Sequence, residues 1–159
     1  MNAAITQPIS MKPLFSVFGS DSGSGQIGSE IHDDPVYAYP TFAIQNKILE
    51  CKELCDNWDG QGAQPPSEST ISNALNFIDL LPDSTVAFLD EENIVCTPYG
   101  TIVLDFENQD DVFSVEIGNR RLGYFFESAG KIILKVNQEP VNRYKLSNNV
   151  VQGFKQLQK

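Results

Sequence analysis

From residue 94 onward, apolar side chains fall at every second position, and turn residues separate the runs. The runs are Ile94 and Cys96; Ile102, Leu104 and Phe106; Phe113, Val115 and Ile117; Leu122, Tyr124 and Phe126; and Ile132, Leu134 and Val136. A period of two is the signature of strands that bury one face. Thr97-Pro98-Tyr99-Gly100 places proline and glycine where a type I turn wants them. Asn108-Gln109-Asp110-Asp111 fits a four-residue hairpin loop, Gly118-Asn119 a two-residue one and Ser128-Ala129-Gly130 a three-residue one. These lengths predict registers. Phe106 faces Phe113, Leu104 faces Val115 and Ile102 faces Ile117, and Ile94 and Cys96 lie opposite Leu104 and Ile102. Val115 then faces Leu122, and Phe113 faces Tyr124; Phe126, Tyr124 and Leu122 face Ile132, Leu134 and Val136. All of them share one face, which a one-residue slip would turn to water. On the other face Glu116 pairs with Arg121, and Glu127 with Lys131. Val112, Phe125 and Ile133 come out adjacent there, near Val103, an apolar patch that needs a cover. Residues 85–90 add a possible edge strand.

Upstream the apolar spacing changes to a helical one. Thr41 can cap a helix whose face carries Ile44, Ile48, Cys51 and Cys55, with Leu54 beside them. Ser67 or Ser69 caps a second helix with the stripe Ile71, Ala74, Leu75, Ile78 and Leu81, ended by Pro82. Ser147 caps a last one with Val150, Val151, Phe154 and Leu157. That helix, or the connection through residues 138–146, is expected to cover part of the second sheet face. The pattern predicts an α+β fold: two N-terminal helices packed on an antiparallel meander of four to six strands, plus a C-terminal helix. Residues 1–40 read as a flexible N-terminal tail and residues 41–159 as a single domain. Within the tail, residues 19–25 have a linker composition. Before them Leu14, Phe15 and Phe18 sit in a short apolar run able to add a strand or dock on a partner.

Between the first two helices lies Asn57-Trp58-Asp59-Gly60-Gln61-Gly62-Ala63, which holds the single tryptophan and is followed by Pro65-Pro66. Asn57, Asp59, Gly60 and Gly62 are the residue types of a tight turn, and the prolines stop any helix from continuing. The segment therefore reads as a rigid corner, with Trp58 folded back onto the helices, rather than as a catalytic device. Together with Thr97-Pro98-Tyr99-Gly100 it resembles an uncharacterised small prokaryotic protein family with an NWDGxGA motif, over about residues 54–127. Gln61 stands where that family often has tyrosine, and Phe106 where it often has tryptophan. The resemblance implies the helix–corner–helix–hairpin order and no activity.

Charge adds a second layer. The net charge of −10 divides into −2 for residues 1–52, −14 for residues 53–119 and +6 for residues 120–159. The middle region carries fourteen acids and no Lys or Arg, including Asp110 and Asp111 in a predicted turn. Such a field speeds encounter with a basic protein and repels nucleic acid. A base-stacking surface would have to use Phe125 among Arg120, Arg121, Lys131, Lys135, Arg143 and Lys145, against the overall acidity. The one histidine, His32, lies in the tail, so no Ser/His or Cys/His device is predicted. Cys51 and Cys55 lack the two further ligands that zinc needs and read as small buried hydrophobes. No metal and no cofactor is expected. Three cysteines without framework spacing suggest a reducing compartment, and no run of about 20 apolar residues suggests a membrane span. The sequence thus favours a non-enzymatic, cytoplasmic protein-binding module of antitoxin, immunity or inhibitor type, acting through an acidic surface on a basic partner. Two alternatives stand beside it. One is a structural or assembly subunit, with a homo-oligomer as partner, using Leu14, Phe15, Phe18, Val112, Phe125 and Ile133. The other is a carboxylate-dependent hydrolase built around Asp59.

Overall fold

The computed structural model describes residues 40–159. The run holding Leu14, Phe15 and Phe18 lies outside them. The fold is α+β, with a five-stranded antiparallel sheet in the order β1-β2-β3-β4-β5 and a C-terminal helix. The strands are β1 (Leu89–Cys96), β2 (Ile102–Asn108), β3 (Asp111–Ile117), β4 (Arg121–Ser128) and β5 (Lys131–Pro140). The helices are α1 (Pro40–Glu50), α2 (Glu68–Asp79), the single turn α3 (Asp83–Val86) and α4 (Asn148–Leu157). None of the described helices is long and apolar enough to cross a membrane.

Three apolar rows run across the inner face of the sheet. Leu89, Phe106, Phe113, Phe126 and Leu134 form the first, and Ile94, Leu104, Val115, Tyr124 and Val136 the second. Cys96, Ile102, Ile117 and Leu122 begin the third, which ends on Glu139. The β2–β3 and β1–β2 registers are those the hairpin lengths predict. Two others are not. Gly118 donates to Arg121 O, so the β3–β4 tip is Asn119-Arg120 and Val115 faces Tyr124, not Leu122. The β4–β5 tip is Ala129-Gly130, both at positive φ, and Phe126 faces Leu134, not Ile132. The β3–β4 shift is by two residues, and the β4–β5 shift is by one at the tip and by two from Phe126 on, so Phe126 and Leu134 keep the inner face. The row expected through Phe113, Tyr124 and Leu134 therefore runs through Phe113, Phe126 and Leu134. Glu116 meets Gly123 and a Thr101 hydroxyl rather than Arg121, and Glu127 meets Ile132 rather than Lys131.

Two irregularities in the β4–β5 ladder account for the remaining differences. One, at Phe126/Glu127, turns Ile132 and Ile133 out to 57% and 60% exposure. Val112 faces Glu127 and Phe125 faces Ser114 and Lys135, so Val112, Phe125 and Ile133 do not form the contiguous patch expected of them. The other lies at Leu122/Tyr124. A Cβ on Gly123 would meet the Asn137 carbonyl oxygen at 2.7 Å, so β5 passes only because residue 123 has no side chain. Gly123→Ala is expected to cost about 1–3 kcal/mol of stability through this overpacking, read by urea unfolding.

The helix boundaries follow local chemistry. Pro40 occupies the first turn of α1, a position where its missing N–H loses nothing, so Thr41 is inside the helix rather than its cap. Ser67 caps α2 and Ser147 caps α4, each accepting from the backbone N–H three residues on. α1 tightens into a 3-10 turn at Cys51–Glu53, and Leu54 is extended, so the helix stops short of Cys55, which is exposed. Of residues 85–90, the first two close α3, and Leu89 and Asp90 begin β1, an edge strand of the sheet. Ile44 and Ile48 of α1 share one buried cluster with Ile71, Phe77 and Ile78 of α2 and the inner rows of the sheet. α4 joins that same cluster through Val150, Phe154 and Leu157 instead of covering the second face. Gly153 lets it approach until the backbone lies against the Phe113 ring.

Candidate functional site

The corner of residues 57–63 is closed by its own hydrogen bonds. Asn57 stands at φ 62° and donates from its backbone N–H to Ala63 O at 2.7 Å, and its side-chain oxygen accepts from Gly62 N at 2.7 Å. Left-handed backbone suits Asn and Gly, and Gly60 and Gly62 also adopt it, at φ 75° and 95°. Asp59 Oδ1 accepts from Gln61 N at 2.7 Å and from Ala63 N at 3.0 Å. These two N–H groups hold the Asp59 carboxyl below its ordinary pKa.

A folded-state pKa lowered in this way contributes stability above the unfolded value, and that stability disappears as pH falls through the folded value. Asp59→Asn is therefore expected to be less stable than the wild type near about pH 6, with the gap closing toward about pH 3. Urea midpoints across that range measure it.

The corner is also pinned at long range. Gln64 donates to Pro98 O at 2.9 Å and forms a parallel bridge with Tyr99, and a side chain at Gly100 would bring its Cβ within 3.1 Å of Pro65 O. The residues that directly follow the corner, Gln64 and Pro65, are thus held against residues 97–100. Nothing in either stretch alone announces this contact.

Trp58 does not fold into the core. It is 38% exposed, and its Nε1 reaches Gln64 O at 3.5 Å. Its ring lines a groove with Leu54, Cys51, Ile94, Val95 and Cys96, walled by Lys47 and Glu50 at the end of α1. Val95, at 49% exposed, breaks the alternation of β1, and that break is the one sequence signal for the groove. Cys51 and Cys96 are joined as a disulfide beneath it. This corrects the reading of Cys51 and Cys55 as two buried hydrophobes on one helix face, since Cys55 is the free and exposed thiol.

The two charged side chains that line the groove form a pair. Lys47 is paired with Glu50 at 2.9 Å, and this hydrogen bond, then the charge of Glu50, raises its pKa, with a smaller push from Glu91. Lys47 and Glu50 thereby offset each other, and the exposed Asp90, Glu91 and Glu92 stand together on β1. Asp110 and Asp111 lie elsewhere, at the β2–β3 tip, where Asp111 faces Asn108 and Ser128. Among the described residues no three His, Cys, Asp or Glu side chains converge as metal ligands would. Comparison with protein-family models, with curated proteins and with solved structures finds no match to this chain.

Proposed function

We propose that the protein is a non-enzymatic binding module of the antitoxin, immunity or inhibitor type, and that it engages a basic protein partner through the Trp58 groove. The observation that carries this reading is a half-exposed tryptophan over an apolar groove, with the exposed carboxylates of Asp90, Glu91 and Glu92 on the adjoining strand β1. Tryptophan is the residue most often found at the energetic centre of interfaces, and a charged rim governs encounter and salt dependence. In this reading α1 and α2 pair as the roof of the sheet, and the end of α1 and β1 form the groove walls. The likeness to the NWDGxGA family is part of the proposal, with the corner as the support that fixes Trp58.

Capture by the tagged full-length chain from its own cells tests it. A basic protein should be retained at about 50 mM salt and lost by about 500 mM, because the rim charges are screened over a few ångströms there. Trp58→Ser should weaken retention by roughly thirtyfold or more, and Glu50→Lys with Glu91→Lys should abolish the salt dependence. Undiminished capture by Trp58→Ser, or no basic partner, would defeat the proposal.

The cytoplasmic location stays part of this reading, although disulfides are rare in the cytosol. Thiol trapping in intact cells decides between a bridged and a reduced Cys51–Cys96 pair. A second reading, an assembly subunit, is favoured by Ile132 and Ile133 standing exposed on the edge strand β5, since exposed apolar edges pair with other chains. Mass photometry showing a strict monomer would remove it.

A further inference from the structure

A second cavity, of about 320 Å³, opens at the opposite edge of the sheet, where β5 leads into α4. Its floor is Phe77, Ile117, Leu122 and Val150, all buried. The size is at the small end of ligand pockets, enough for a compact molecule and not for a peptide.

Two charges face this apolar floor, and each is placed there by a specific device. The irregularity at Leu122/Tyr124 brings Glu139 opposite Leu122, at the end of the inner row where an apolar side chain would otherwise continue the core. Bulges re-aim side chains in this way, and the close pass of Gly123 against Asn137 O makes this one dependent on glycine. Tyr124, itself buried, donates its hydroxyl to Glu139 Oε2 at 2.9 Å, fixing the carboxylate and leaving Oε1 without a hydrogen bond from the described side chains. Burial first, and then this carboxylate, raise the Tyr124 pKa, so the phenol stays a donor. Lys145, which also lines the cavity, follows a turn organised by Asn142, whose side-chain oxygen accepts from Tyr144 N at 2.9 Å and Lys145 N at 3.3 Å. Among the described residues the one ion pair is Lys47–Glu50, so Glu139 and Lys145 line the same cavity without neutralising each other.

A carboxylate, an ammonium and an apolar floor in one cavity match a small zwitterion with an apolar substituent. An amine or an acid alone would satisfy only one of the two charges. We propose that this cavity binds a free α-amino acid with an apolar side chain. Glu139 receives the ligand's ammonium, Lys145 its carboxylate, and Phe77, Ile117, Leu122 and Val150 its side chain. The site lies at the β5 edge and is independent of the Trp58 groove at β1.

Titration of the ¹⁵N-labelled full-length chain tests the proposal with four probes: L-phenylalanine, L-leucine, phenethylamine and 3-phenylpropionate. At least one of the two amino acids should give saturable shifts at the amides of Leu122, Val141 and Val150. Phenethylamine and 3-phenylpropionate, each lacking one charge, should bind about tenfold more weakly than L-phenylalanine. Lys145→Met should erase the advantage over phenethylamine, and Glu139→Gln the advantage over 3-phenylpropionate. Glutamine still accepts from Tyr124, and if that variant fails to fold, Lys145→Met on the exposed connection carries the test alone. Absence of saturable shifts at about 10 mM of either amino acid, or equal binding by all the phenyl compounds, would overturn the assignment.

Discussion

Opening the Cys51–Cys96 bridge is expected to lower the free energy of unfolding by about 4 kcal/mol, the chain-entropy value for a 45-residue separation. The bridge ties the 3-10 turn at the end of α1 to the last residue of β1, and so closes the segment containing the corner, α2 and α3. With it cut, the unfolded chain regains that loop's freedom while the native contacts remain. Domains of this size hold about 5–15 kcal/mol in all, so the loss is a large share of the total. Cys96→Ser is the cleaner variant, since Cys51 is the more buried of the two and a hydroxyl there adds a desolvation cost. Urea unfolding with and without dithiothreitol measures the effect. Alkylation of the native protein should find one reactive thiol, Cys55, and three after reduction. Unchanged midpoints on reduction would mean that the bridge does not hold the fold.

Phe154→Ala is expected to cost about 3–5 kcal/mol, as removal of a buried aromatic ring does when the cavity cannot close. The ring lies edge-on to Phe106 at 4.9 Å and to Phe113 at 4.7 Å, and tilted against Phe77 at 6.3 Å. It therefore joins α4, α2 and the centre of the sheet in one contact set. Edge-to-face pairs of this kind add to the transfer term, and none of the three partner rings sits on a loop free to move in. Near-UV circular dichroism should lose intensity along with the fall in midpoint. Tyr144→Ala, at an exposed position on the β5–α4 connection, should stay within about 0.5 kcal/mol of wild type. Equal effects of the two substitutions would contradict this packing.

The inner face of the sheet was legible because parity survives error. Placing the β3–β4 tip at Gly118-Asn119 instead of Asn119-Arg120 moves every partner by two, and Val115, Tyr124 and Leu122 still point inward. The irregularities were not legible, since one extra residue in β5 leaves no mark on composition, yet Ile132, expected inside, stands out and Glu139 comes in. α4 has a clear apolar stripe, but a stripe does not say which sheet face it meets; Gly153 against Phe113 decides that. Cys51 and Cys96 are too far apart in sequence for spacing to pair them, and only the position of α1 against β1 does so. The same holds for Gln64 and Tyr99. Asn57, Asp59, Gly60 and Gly62 announced a turn correctly, and Trp58, read as folded back onto the helices, lines a groove with the end of α1.

Amide hydrogen exchange on the free chain and on the chain with its captured partner tests the proposed role of the groove most directly. New protection confined to residues 47–64 and Leu89–Cys96 is the result this account predicts. Protection along β5 instead, or no change in the segment around Trp58, would contradict it.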